Sequence, residues 1–281
     1  MPRRYALSKR GDVLVEREPF CLRRDRAHAA NMKLSFVVRG ALAAAAVVIS
    51  LPTSLAQENV MKAPPASGSP SAHFVRPQML DLARILPAPP APGSMAAQAE
   101  LEVVLQAQAW RTPEEIAWAK TVEKQTVFNI YGSRFGAWFT PENLPQLVAL
   151  LKEVSEDVRS INEAAKKIHP RARPYTIDSR VQPCVEAPTN DTYPSGHAIT
   201  SYLVGAILVE LFPEQRAALH DLARRAAWGR ILGGAHFPTD LEGGRLLAEA
   251  IMSELRTNTA FKSALEKCRT ELTAAANRKA A

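Results

Sequence analysis

The sequence predicts an all-α protein, and three observations carry that expectation. Alanine-rich stretches with few aromatic residues favour helix. Helix-start signals recur, above all Thr112-Pro113-Glu114-Glu115, which offers an N-cap, a proline at the first helical position and acids in the first turn. No run of alternating β-branched residues is long enough to build a sheet. With 281 residues, 47% of them hydrophobic and 22% charged, the chain has the length and composition to bury a sizeable core.

In chain order, residues 1–31 are polar, arginine-rich and unpatterned, and read as a non-native or mis-annotated extension, with a genuine cytosolic tail as the alternative. Met32 then opens a stretch with the layout of a secretory signal over 32–56. Lys33 and Arg39 form its basic region, Gly40 to Leu51 its apolar region, and Ser54-Leu55-Ala56 a small-residue cleavage site. The apolar region is too short to span a bilayer, so a periplasmic or secreted product is expected, with no integral membrane span in the mature chain. Residues 57–77, rich in Pro, Ser and Ala, read as a disordered linker to a helical domain over 78–275.

Gln78 to Leu86 is a short helical piece, and the prolines from Leu86 to Ser94 enforce an extended strap. Met95 to Ala109 has helical apolar spacing, and the helix opened at Thr112 is expected to run towards Phe128. Gly132 to Phe139 reads as a loop. Thr140-Pro141-Glu142 is expected to open a helix to about Ile168, bent near Pro145. Ala198 to Phe212 is apolar all round and ends at Pro213, the mark of a buried central helix. Glu214 to Ile231, Thr239 to Leu255 and Asn258 to Ala275 complete the set.

The net charge of +7 does not describe the folded part. Residues 1–56 hold 10 of the 35 Lys and Arg but 4 of the 28 Asp and Glu, which leaves +1 for the rest. No basic patch of the kind nucleic-acid binding needs is expected. Three cysteines, Cys21, Cys184 and Cys268, show no metal-site spacing, and Cys184 and Cys268 are candidates for a disulfide in an oxidising compartment.

Three short clusters carry the chemistry. Lys166, six residues and Arg173-Pro174 place an ammonium and a guanidinium where Pro170 and Pro174 break the helix. Together they complement a phosphate, although a solvated helix end with Lys167 and Arg171 would read the same way. Pro194-Ser195-Gly196-His197 precedes the apolar run. Its N–H groups at a helix N-terminus suit an anion, and a plain capping turn is the alternative. Arg230, five residues, His236, three residues and Asp240 put a carboxylate within reach of an imidazole. Asp240 can hold one ring nitrogen and leave the other to attack, or can serve only as a helix cap.

Taken in order, the clusters resemble the type 2 phosphatidic acid phosphatase (PAP2) superfamily, which includes the vanadium haloperoxidases. Its signature runs K-x6-RP, PSGH, SR-x5-H-x3-D. Lys166, Arg173, Pro174, Pro194 to His197, Arg230, His236 and Asp240 all match it. Nineteen residues separate Pro174 from Pro194 and 31 separate His197 from Gly229, which suits the family. One position departs: Gly229 stands where the family has serine, which removes a hydroxyl from beside the phosphate site. The strap and the tail Leu255 to Phe261 further resemble secreted bacterial class A non-specific acid phosphatases, over about Leu80 to Leu272.

The resemblance implies a compact multi-helix bundle of the PAP2/vanadium haloperoxidase type and a phosphoric monoester hydrolase of the acid phosphatase class. It implies that Lys166, Arg173 and Arg230, with N–H groups around Ser195 and Gly196, hold the phosphate. His236 attacks phosphorus, Asp240 orients it and His197 protonates the leaving oxygen. No metal or cofactor is implied. Small phosphomonoesters are the expected substrates, vanadate and phosphate the expected inhibitors, and a homo-oligomer the family-level expectation. A vanadium-dependent haloperoxidase, a soluble lipid phosphatase and an inactive anion-binding protein are the competing readings.

Overall fold

A computed structural model describes residues 73–280, with side chains described through residue 275. The extension at 1–31, the signal at 32–56, Cys21 and most of the 57–77 linker lie outside the described residues. Ten α-helices follow: α1 (Leu82–Ile85), α2 (Met95–Trp110), α3 (Pro113–Glu123), α4 (Val127–Phe135) and α5 (Pro145–Lys166), then α6 (Pro174–Ile177), α7 (Gly196–Leu211), α8 (Arg216–Leu232), α9 (Pro238–Thr257) and α10 (Thr259–Ala280). Among the described residues there is no strand, and the fold is all-α. No described helix is long and apolar enough to cross a membrane.

Helix α7 is the hub. Ile199, Leu203, Ile207 and Leu208 are essentially inaccessible, and α8 and α9 pack along it with α5 and α10 against the same core. Burial on all sides explains why this run shows no polar face. Gly243 and Gly244 open α9 to the segment before α7. A Cβ at Gly243 would lie 2.7 Å from the Tyr193 ring, and one at Gly244 2.9 Å from the Ser195 carbonyl oxygen. This close approach lets the Ser195 N–H donate to the Asp240 carbonyl at 3.0 Å, joining two of the motif clusters.

Several boundaries differ from the sequence-based expectation. The helix from Thr112 stops at Glu123, and a second one starts at Thr126, whose hydroxyl accepts from the Asn129 N–H at 3.1 Å. Helical apolar spacing continues across this break, so periodicity alone does not reveal it. Gly132 lies inside α4 rather than in a loop, and Thr140 to Asn143 form a turn before α5 opens at Pro145. The start of the described chain is packed rather than a loose linker. Phe74 and Val75 are buried, and their N–H groups donate to the buried Asp157 carboxylate at 2.8 and 2.9 Å. Cys184 and Cys268 are both free thiols, Cys268 within the core, so the candidate disulfide is not formed.

Candidate active site

The three clusters converge on one cleft of about 390 Å³. It is lined by Lys166, Arg173, Gly196, His197, Arg230 and His236, together with Ser155, Arg159 and Asn162 from the polar stripe of α5. Ser155, Arg159, Asn162 and Lys166 recur at spacings of four, three and four, which keeps them on one helix face.

Arg173 lies just before α6 and is buried. Its guanidinium donates to the Asn190 carbonyl (2.8 Å), the Asn190 side chain (2.7 Å), the Ala235 carbonyl (2.9 Å) and His236 Nε2 (3.0 Å). Lys166, at the end of α5, reaches the carbonyl oxygens of Asp191 and, at 3.3 Å, Pro194. Burial, reinforced by Arg173, brings its pKa down to about 8. Arg230 is 1% exposed, and its Nε and Nη1 have no hydrogen-bond partner within the protein. Burial lowers its pKa to about 10. Unpartnered N–H groups of a buried cation are costly unless an anion meets them, so this residue marks where negative charge belongs.

His236 is likewise buried. A guanidinium only donates, so the contact from Arg173 makes Nε2 the acceptor and puts the proton on Nδ1. Nδ1 faces the Thr192 hydroxyl at 3.0 Å and Asp240 Oδ2 at 3.4 Å. Thr192 in turn donates to Asp240 Oδ2 at 2.7 Å, as does the Phe237 N–H. The Nε2 lone pair, which accepts from Arg173 here, is therefore the one electron pair the ring can offer to an electrophile. Burial pushes the imidazole pKa down to about 3 despite Asp240, so the ring is neutral at ordinary pH. Burial alone would raise the Asp240 carboxyl, but His236, Arg171 and the Phe237 N–H hold it below its usual value.

His197 sits in the first turn of α7 and gives Nε2 to the Glu123 carbonyl at 3.1 Å. Burial, then the nearby Arg230, lowers its pKa to about 4. Glu123 ends α3, so the negative end of that helix faces this imidazole and opposes part of the shift. Ser195 does not present a free group. Its N–H goes to Asp240, its hydroxyl caps α7 by accepting from the Ala198 N–H at 3.3 Å, and it is fully buried. The N–H groups that α7 leaves open at the cleft belong to Gly196 and His197.

Sequence reasoning missed the support behind Asp240. Arg171 donates to Asp240 Oδ1 and to the buried Glu100, both at 2.7 Å, and lies 4.1 Å over the Phe237 ring. Glu100 also accepts from the Thr239 N–H at 2.6 Å. Thr192 and Glu100 lie outside every motif, and nothing in their local sequence marks them.

Gly229 is placed in α8 where α3 crosses it. A Cβ there would lie 2.9 Å from Val122 Cγ2 and 3.4 Å from the Trp118 indole nitrogen. A serine here would require Val122 to shift.

Residues 153–260, which contain all three clusters, match the PAP2 superfamily. Among characterised proteins, the chain is similar to the non-specific acid phosphatase of Salmonella typhimurium, at 30% identity over 58% of this chain and 66% of that one. It is also similar to the non-specific acid phosphatase of Providencia stuartii (26%, over 52% and 60%) and the acid phosphatase of Zymomonas mobilis (28%, over 52% and 57%). The matches thus span under two thirds of those relatives' own length. A solved structure of a transmembrane PAP2-type phosphatidylglycerolphosphate phosphatase from Bacillus subtilis aligns at a TM-score of 0.41 and 21% identity, over 59% of this chain and 85% of that one.

Proposed function

We propose that this chain is an exported acid phosphatase that hydrolyses phosphomonoesters through a phosphohistidine on His236, with cations in place of a metal. The observation that carries the reading is the setting of His236. A neutral imidazole presents Nε2 beside Arg173 while Thr192 and Asp240 hold Nδ1. Lys166, Arg173 and Arg230 hold the phosphoryl oxygens with the Gly196 and His197 N–H groups. Such preoriented donors stabilise the charge that develops in the transition state.

The chemistry balances in two steps. The Nε2 lone pair forms a bond to phosphorus as the ester P–O bond breaks, and the His197 imidazolium gives its proton to the departing oxygen. Neutral His197 then removes a proton from water, whose oxygen displaces Nε2 and releases phosphate. Asp240 steadies the positive charge on His236 throughout. Vanadate, as a mimic of five-coordinate phosphorus, should inhibit.

Hydrolysis of p-nitrophenyl phosphate tests the reading. Turnover that survives EDTA and stops with vanadate is expected. Activity that EDTA removes and a divalent metal restores would contradict it. Export rests on residues 32–56, and N-terminal sequencing of the exported protein should find a chain that begins near Gln57.

A further inference from the structure

A second cavity, of about 370 Å³, shares Gln125, Ser155 and Thr200 with the phosphate cleft and extends from it between α4, α5 and α7. Its walls are hydrocarbon, including Phe128, Ile130, Val148, Leu151 and Val204. The polar groups on those walls are already engaged inside the protein. The Tyr131 hydroxyl donates to the Ser201 carbonyl at 2.6 Å, and the Ser201 hydroxyl to Gln125 Oε1 at 2.8 Å. Gln125 Nε2 donates to the His197 carbonyl at 3.1 Å, Thr200 to the Gly196 carbonyl at 3.1 Å, and Ser155 to the Leu151 carbonyl at 2.7 Å. The Thr126 hydroxyl caps α4. Among the described lining residues the one charge is Lys152, which is exposed.

A polyhydroxylated leaving group would find few partners there, whereas an alkyl chain would lose only water. In-line displacement sends the ester oxygen away from His236, and the residues shared by cleft and groove stand beside His197: Gln125 donates to its carbonyl and Thr200 follows it within one turn of α7.

We propose that this groove is a leaving-group subsite that selects phosphomonoesters of apolar alcohols, linear alkyl chains above all, over those of sugars and glycerol. The inference rests on the phosphatase reading for its substrate, while the groove's preference is separable from turnover. Val148, 38% exposed on α5, is a wall residue that can be changed without opening the core.

The test is kcat/KM for ethyl, butyl, hexyl and octyl phosphate below their micelle concentrations, with glycerol phosphate as the polar comparator. Specificity should rise with chain length by up to about fourfold per buried methylene. Val148→Gln should flatten that rise and leave ethyl phosphate, too short to reach the groove, unchanged. A flat series, or glycerol phosphate preferred over butyl phosphate, overturns the subsite.

Binding of the matching alkylphosphonates, measured by calorimetry, separates the two readings. Affinity that climbs with chain length and is weakened by Val148→Gln supports the groove even if no ester is hydrolysed. Affinity independent of chain length, or no binding, overturns it.

Discussion

Arg230 combines near-complete burial with two unanswered nitrogens, and without an anion beside it that buried charge is a burden on the fold. Arg230→Met, which keeps the volume and removes the charge, should therefore hold or raise the melting temperature. The same change should cut kcat/KM on p-nitrophenyl phosphate by about 10²- to 10³-fold, the usual cost of losing one transition-state donor. Calorimetry and steady-state kinetics on one preparation check both. Arg171 has the opposite character: its two carboxylate partners, Glu100 and Asp240, are themselves buried. Arg171→Ala should destabilise the protein by about 3–5 kcal/mol in urea unfolding, because two buried charges lose their counter-ion. The motif residues were legible because each pairs an unusual side chain with a helix-breaking Pro or Gly. Arg171, Thr192 and Glu100 were not, since their roles arise from contacts across 44 to 139 positions of sequence separation.

At the level of elements, α3 explains the departure at Gly229. Val122 and Trp118 fill the space a serine side chain would need, and α3 also brings the Glu123 carbonyl to His197. Gly229→Ser should cost about 1–3 kcal/mol by overpacking, and adding Val122→Ala should recover part of it, as chemical denaturation of the single and double variants would reveal. Full tolerance of Gly229→Ser would mean that α3 does not pack there as described. The central helices were readable from sequence because burial leaves a plain apolar run at α7 and an amphipathic pattern at α9. The break between α3 and α4 was not, because its cap uses Thr126 with Asn129, a pair with less sequence signal than Ser or Thr with Glu. The packing of Phe74 and Val75 onto Asp157 was hidden in the same way, inside a stretch whose composition reads as linker.

For the whole molecule, pH acts on folding and on catalysis in opposite senses. His197 and His236 have folded pKa values of about 4 and about 3, below the model-peptide value of about 6.5. Below pH ~6.5 the unfolded chain binds protons that the native state refuses, so stability should fall as pH drops from there towards 4. Turnover needs His197 protonated, and a bound phosphate dianion favours that form, so activity should peak on the acid side of neutrality. Above pH 8, Lys166 loses its charge and KM should rise. An anion in the cleft should offset the acid penalty. Inorganic phosphate at about 100 times its Kd should raise the melting temperature at pH 5 by about 5–10 °C. A melting temperature that phosphate leaves unmoved would argue that the three cations do not form one site.

The covalent step is the centre of the account, and trapping it is the most direct test. The protein is mixed with a ³²P-labelled phosphomonoester, quenched in alkali within the first turnovers to preserve an acid-labile phosphoramidate, and mapped by mass spectrometry. The account predicts label on His236, absent from His236→Ala, which should also have lost turnover. Label on another residue, or steady turnover by His236→Ala, would contradict it.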